Sequence, residues 1–154
     1  MAFQTPPETR YFEDYVPGEV HKLGTVAVER DELLAFGRRF DPQDFHADPA
    51  AAERTVYQGL IASGWHTAGL MMRLYVQRYL SRIGSLGSPG VDEVRWPRPV
   101  RPDDVLSVRV TVLDARLSNS KPDRGIVTSL VEVANQRGEL VMSLRAVNLF
   151  ARRP

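Results

Sequence analysis

The run FDPQDFHADP, Phe40 to Pro49, gathers three carboxylates, Asp41, Asp44 and Asp48, around one imidazole, His46. Pro42 and Pro49 interrupt any continuous helix, so the stretch is a loop that can hold side chains at fixed angles. An unperturbed imidazole titrates at roughly 6.5, and a carboxylate partner can hold it as an acid or a base near neutrality. Asp41 and His46 are therefore candidates for moving a proton. The same residues also suit a structural role: Asp before Pro opens a turn, and Asp48 can cap a helix that begins at Pro49.

A second stretch, GLIASGWHT from Gly59 to Thr67, puts Ser63 and Gly64 where an apolar helix begins. A helix start presents unpaired N–H groups and the positive end of a dipole, and glycine lets a ligand approach the backbone closely. Gly64 could thus stabilise a developing oxyanion, with Ser63 beside it at the substrate. Equally, Gly64 could serve tight packing and Ser63 the helix cap. His66 is expected in the core. Lys121 and Arg124 in SKPDRG could contact a phosphate, although Pro122-Asp123 also reads as an ordinary turn with solvated flanks.

The elements that must position these groups follow from periodicity. YFEDYVPGE, residues 11–19, reads as an extended arm ending in a Pro-Gly turn, followed by a strand from Val20 to Val28. A short helix capped by Asp31 carries Leu33, Leu34, Phe36 and Phe40 up to the break at Pro42. From Gly64 to Leu80, Trp65, Ala68, Met72, Tyr75, Val76 and Tyr79 recur at intervals of three and four. Leu70, Met71, Leu74 and Leu80 widen that stripe, which predicts a helix buried on most of its sides. Gly84 to Gly90 is loop. Strands are predicted at Val91 to Trp96, Val105 to Leu113, Ile126 to Ala134 and Glu139 to Phe150, the last two joined by a hairpin turn at Asn135 to Gly138. One long helix wrapped by a curved antiparallel sheet of about five strands satisfies this order, an α+β architecture in a single domain over residues 1–154. Helices packed on one face of an open sheet are the alternative.

Composition narrows the function classes. Twenty basic residues against nineteen acidic ones give a net charge of +1, so no global field recruits nucleic acid or anionic lipid. Absence of cysteine excludes disulfides, thiolate nucleophiles and Cys-ligated zinc, and fits a cytoplasmic protein. The three histidines, His21, His46 and His66, lack a zinc-ligand spacing, so neither metal nor cofactor is expected. No apolar run approaches the roughly 20 residues needed to span a bilayer, and Met1 to Arg10 has no secretory pattern.

The run D-P-Q-D-F-H, Asp41 to His46, resembles the Asp-x-Asn-Pro-x-His hydratase motif of MaoC-like proteins, the (R)-specific enoyl-CoA hydratase type. GLIASG resembles that family's G-x-x-Ala-His-Gly segment. The YFEDYVPGE arm, PVRPDD, SKPDRGIV and NQRGE extend the likeness over nearly the whole chain. This resemblance implies a hot-dog fold and a lyase that hydrates trans-2-enoyl-CoA to (R)-3-hydroxyacyl-CoA, or runs the reverse dehydration, in fatty acid metabolism. It further implies that Asp41 and His46 hold a water between them while the Gly64 N–H polarises the thioester carbonyl, and that the chain forms a homodimer or higher homo-oligomer. The substrate would be carried on CoA or acyl carrier protein. A hot-dog acyl-CoA thioesterase and a non-catalytic acyl-thioester binding subunit are the competing readings. Three positions depart from the motifs: Gln43 stands for Asn, Asp44 for Pro and Ser63 for His. Asp44 is expected to point into solvent.

Overall fold

The computed structural model describes residues 3–154. Five strands form one antiparallel sheet: β1 (Val20–Ala27), β2 (Gly90–Arg95), β3 (Val105–Leu117), β4 (Arg124–Ala134) and β5 (Leu140–Ala151), in the order β1-β3-β4-β5-β2. Between β1 and β2 the chain forms α1 (Arg30–Phe40), the single turns α2 (Asp44–Ala47) and α3 (Pro49–Ala52), and the long helix α4 (Gly64–Arg78). This is the hot-dog arrangement, and every pairing in the sheet is antiparallel.

Period-two patterning explains the sheet. Along β3, Leu106, Val108, Val110 and Val112 are buried while Ser107 and Arg109 face out. On β4, Val127, Val131 and Val133 are wholly buried. The β4–β5 hairpin closes at the expected NQRG turn, where Gly138 takes the positive φ of 76° that a side chain would disfavour. The Val16-Pro17-Gly18-Glu19 turn also forms, its Glu19 N–H bonding the Val16 carbonyl. Ahead of it the arm is not simply extended: Phe12–Asp14 make one 3-10 turn, which seats Phe12 against Gly125 of β4.

Helix α4 lies over the sheet, burying Leu70, Met71, Leu74 and Tyr75. Each such side chain contributes about 1.5–3 kcal/mol on leaving water. Polar pins fix its register, with Tyr75 Oη donating to Asn148 Oδ1 (2.6 Å) and Tyr79 Oη bonded to Ser129 Oγ (2.5 Å). The sequence-based expectation of burial on most sides is corrected. Trp65, Met72 and Val76 stay 62, 43 and 45% exposed, because one curved sheet covers only one side of a helix and a second apolar stripe is left outside.

Helix boundaries differ in two places. α4 ends at Arg78 with Tyr79 as its C-cap, two residues short of the predicted Leu80. α1 starts at Arg30, with Glu29 and not Asp31 at its N-cap. Hydrogen bonds between Val28 and both Asp103 and Asp104 end β1 there, so the chain turns into helix at once. Asp31 and Glu32 then sit in the first turn, where the dipole favours negative charge.

Candidate active site

Three short segments build the site. The first is the end of α1. Asp41 is its C-cap, its N–H bonded to the Gly37 carbonyl at 3.0 Å, and Pro42 forces the backbone away from helix. The chain re-enters helix in α2, which brings His46 back over α1. The approach is close: a Cβ on Gly37 would stand 2.2 Å from the His46 carbonyl oxygen, so only glycine fits there.

The second segment, residues 57–62, runs past His46. Ile61 N–H donates to the Phe45 carbonyl (2.9 Å) and Ala62 N–H to the Val100 carbonyl (2.8 Å). Arg101 clamps the start of this segment through the Tyr57 and Leu60 carbonyls, at 2.5 and 3.3 Å. The Ile61 carbonyl lies 2.8 Å from His46 Nδ1. A carbonyl only accepts, so Nδ1 carries a proton, and the ring in its neutral form presents a lone pair at Nε2.

That Nε2 lies 3.3 Å from Asp41 Oδ2. His46 is buried and Asp41 keeps a fifth of its side chain exposed. The carboxylate has two neutral donors: Gln43 Nε2 to Oδ1 at 2.8 Å, and Ser63 Oγ to Oδ2 at 2.7 Å. Burial raises the Asp41 pKa, but these two hydrogen bonds, with the positive charge of His46 whenever its ring is protonated, outweigh it and hold the carboxyl below its ordinary range.

The third segment is the start of α4. Ser63 is the N-cap and its Oγ accepts from Trp65 N–H at 3.3 Å. His66 and Thr67 N–H groups bond the Ser63 carbonyl. Among the described residues no acceptor meets the Gly64 N–H. Trp96, just after β2, packs its indole on Gly64 and donates Nε1–H to the Gly64 carbonyl at 3.1 Å. A Cβ on Gly64 would come within 2.4 Å of that ring, so the glycine is required by contact.

A cavity of about 330 Å³ opens here, its walls including Phe45, His46, Tyr57, Gly64, Trp96 and Arg98. His46 and Gly64 thus line one space. Asp41 stands behind, touching Nε2. Ser63, expected beside Gly64 at the substrate, is 1% exposed and instead turns its hydroxyl to Asp41. The carboxylate that accepts its proton lies 22 residues away in the chain, which no local spacing could reveal.

Other sequence candidates fall elsewhere. Asp44 is exposed. Asp48 caps α3, its Oδ1 accepting from Ala50 and Ala51 N–H. His66 is buried between α1 and α4 beside Phe36, and burial lowers its pKa. Arg124 pairs with its neighbour Asp123 at 2.9 Å, the turn reading of SKPDRG. Among the described residues no three His, Asp or Glu side chains converge as metal ligands, and no helix is long and apolar enough to cross a membrane. Arg101 and Trp96 went unread in the sequence because their roles are contacts across the fold.

Comparison with known proteins agrees with this fold. A family model described as MaoC like domain matches residues 14–135. An uncharacterised Bacillus subtilis protein, YdeM, is 29% identical over 125 residues, covering 81% of this chain and 87% of its own length. A mesaconyl-CoA hydratase of Haloarcula marismortui is 40% identical over 65 residues, 42% of this chain but 18% of that enzyme. Among solved structures, a MaoC-like dehydratase from Rhodospirillum rubrum superposes with a TM-score of 0.87 at 42% identity, covering 94% of this chain and 99% of that one. The (R)-hydratase PhaJ1 of Pseudomonas aeruginosa gives 0.74 at 25% identity, covering 94% and 86%. At 16% identity, a Mycobacterium tuberculosis protein described as a double hot-dog fold gives 0.82, covering 94% of this chain and 45% of that one, a likeness of fold alone.

Proposed function

The chain belongs to the MaoC-like domain family, and from that premise we propose that it adds water to trans-2-enoyl-CoA, giving (R)-3-hydroxyacyl-CoA, or catalyses the reverse dehydration. One observation carries the reading: Asp41 Oδ2 and His46 Nε2 face each other at 3.3 Å, and His46 lines one cavity with Gly64, whose N–H has no acceptor among the described residues. Two acceptors cannot bond to each other. A water beside the pair, within hydrogen-bond reach of both, donates one hydrogen to each and turns its lone pairs outward.

Attack of that water on C3 sends charge through the conjugated system onto the thioester oxygen. The Gly64 N–H, fixed at a helix start, stabilises this enolate more than the neutral carbonyl, which is the condition for lowering a barrier. His46 is held with Nδ1–H on Ile61, so its Nε2 can take the water proton and deliver one to C2. Asp41 stays anionic, orients the water and stabilises the imidazolium. Likeness to an (R)-hydratase and, over a shorter stretch, to a mesaconyl-CoA hydratase supports the thioester class.

We also assign the exposed stripe Trp65, Met72 and Val76 and the edge strand β2 to contact with a second copy of the chain. An unpaired strand edge beside exposed apolar groups is a surface that homodimers cover.

The test is the loss of enoyl absorbance from crotonyl-CoA, run beside thiol release from butyryl-CoA. Hydration is expected without thiol release. Asp41→Asn and His46→Ala, folded by circular dichroism, are expected to lose roughly 10²- to 10⁴-fold in kcat. Thiol release alone would replace the lyase with a thioesterase, and neither activity on a panel of acyl lengths would leave a binding subunit.

A further inference from the structure

We propose that Ser63 is a positioning residue for this reaction: its hydroxyl ties the Asp41 carboxylate to the first turn of α4, setting the water-holding pair and the Gly64 amide in one frame. What is positioned rests on the lyase reading; the tie itself rests on geometry.

The direction of the tie is forced. A serine hydroxyl has one hydrogen and two lone pairs. The Trp65 N–H points at Ser63 Oγ from 3.3 Å and uses a lone pair. Asp41 Oδ2, 2.7 Å away, is a carboxylate oxygen with nothing to donate, so the single O–H goes to it. Ser63 is 1% exposed, so no solvent competes for that hydrogen. A hydroxyl that is both helix cap and carboxylate donor converts two separate chain segments into one rigid unit, the condition for holding reacting groups in register. Ser63 is also the position where this chain departs from the histidine of the motif it resembles, so the tie is specific to the residue present here.

Loss of the hydroxyl removes one of the two neutral donors to Asp41, leaving Gln43. Asp41 faces Gln43 from its own loop, His46 from α2 and Ser63 from α4, and among these His46 is the group that titrates. The carboxyl should then hold a proton at a higher pH. Proton affinity of Asp41 can be read without any turnover, by NMR of its side-chain carboxyl carbon, assigned with Asp41→Asn.

The full-length chain and the variants Ser63→Ala, Ser63→Val and Ser63→Thr are compared. Val and Thr match in volume and differ by the hydroxyl, which separates the tie from packing. For Ser63→Ala and Ser63→Val the Asp41 titration is expected to move up by about one pH unit, a tenfold change in proton affinity. On crotonyl-CoA, kcat should fall roughly tenfold to a hundredfold, with KM changing less than about twofold and the acidic limb of the rate profile moving up with the NMR titration. Ser63→Thr should restore both. A cap that only stabilised α4 would lower the melting temperature and leave the Asp41 titration where it was. Val and Thr variants with the same Asp41 titration as the parent chain overturn the proposal. If the parent chain hydrates no enoyl thioester, the lyase reading falls, and the NMR comparison still decides whether Ser63 holds Asp41.

Discussion

At the scale of single residues, the site divides its labour through hydrogen bonds that fix protons. His46 has its Nδ1–H committed to Ile61 and its Nε2 turned to Asp41, while Asp41 takes hydrogen bonds from Gln43 and Ser63 that favour its anionic form. The sign of the pH dependence follows. A depressed carboxyl remains charged above its folded-state pKa and is neutralised as pH falls through it, so activity should be lost on the acid side of the profile. Gln43→Ala removes the donor to Oδ1, and its acidic limb should move toward neutral pH, measured as kcat/KM against pH. The Asp41 to His46 spacing was legible because a proline-broken loop with both residue types is a local pattern. The tautomer of His46 was not, since the carbonyl that sets it belongs to Ile61, fifteen residues on.

Elements meet at this site through two glycines where backbones or rings come too close for a side chain. Gly64→Ala would drive a methyl into the Trp96 indole, and overpacking of this kind costs about 1–3 kcal/mol, read as a lower urea midpoint. Combining it with Trp96→Ala should recover part of that stability, because the colliding ring is gone. Gly37→Ala is expected to be worse for activity than for α1 itself: the clash is with the His46 backbone, which cannot rotate away, so His46 moves off Asp41. Element types and most boundaries were readable from alternation and from three-four spacing. The cap of α1 was misplaced because β1 ends on hydrogen bonds to Asp103 and Asp104, which are remote in sequence. The burial of α4 was overread because its apolar residues go round most of the helix, and periodicity alone does not say how much of that surface the sheet covers.

For the molecule as a whole, that second stripe predicts association. Sedimentation should show a dimer, and Met72→Lys with Val76→Glu should shift it toward monomer, whereas Leu70→Ala, inside the core, should cost about 2–5 kcal/mol at any protein concentration. Stability should also depend on pH through His21. It is buried against Phe3, with ring centroids 3.7 Å apart, neither ring nitrogen has a hydrogen-bond partner among the described residues, and burial with the Arg10 charge pushes its pKa down to about 4. Unfolded chains bind a proton there below about 6.5, and the folded chain does not until about 4, so stability should decline as pH falls through that window. The slope from this residue is at most about 1.4 kcal/mol per pH unit, and His21→Phe should flatten it in urea titrations.

The tryptophan at the mouth of the cavity has a practical consequence. The chain has two indoles, Trp65 and Trp96, and they lie edge to face at 5.2 Å where the long helix begins. Its ultraviolet emission therefore originates beside the proposed catalytic groups. An acyl chain that displaces water from this corner should change the colour and intensity of that light, so occupancy can be followed with no label attached.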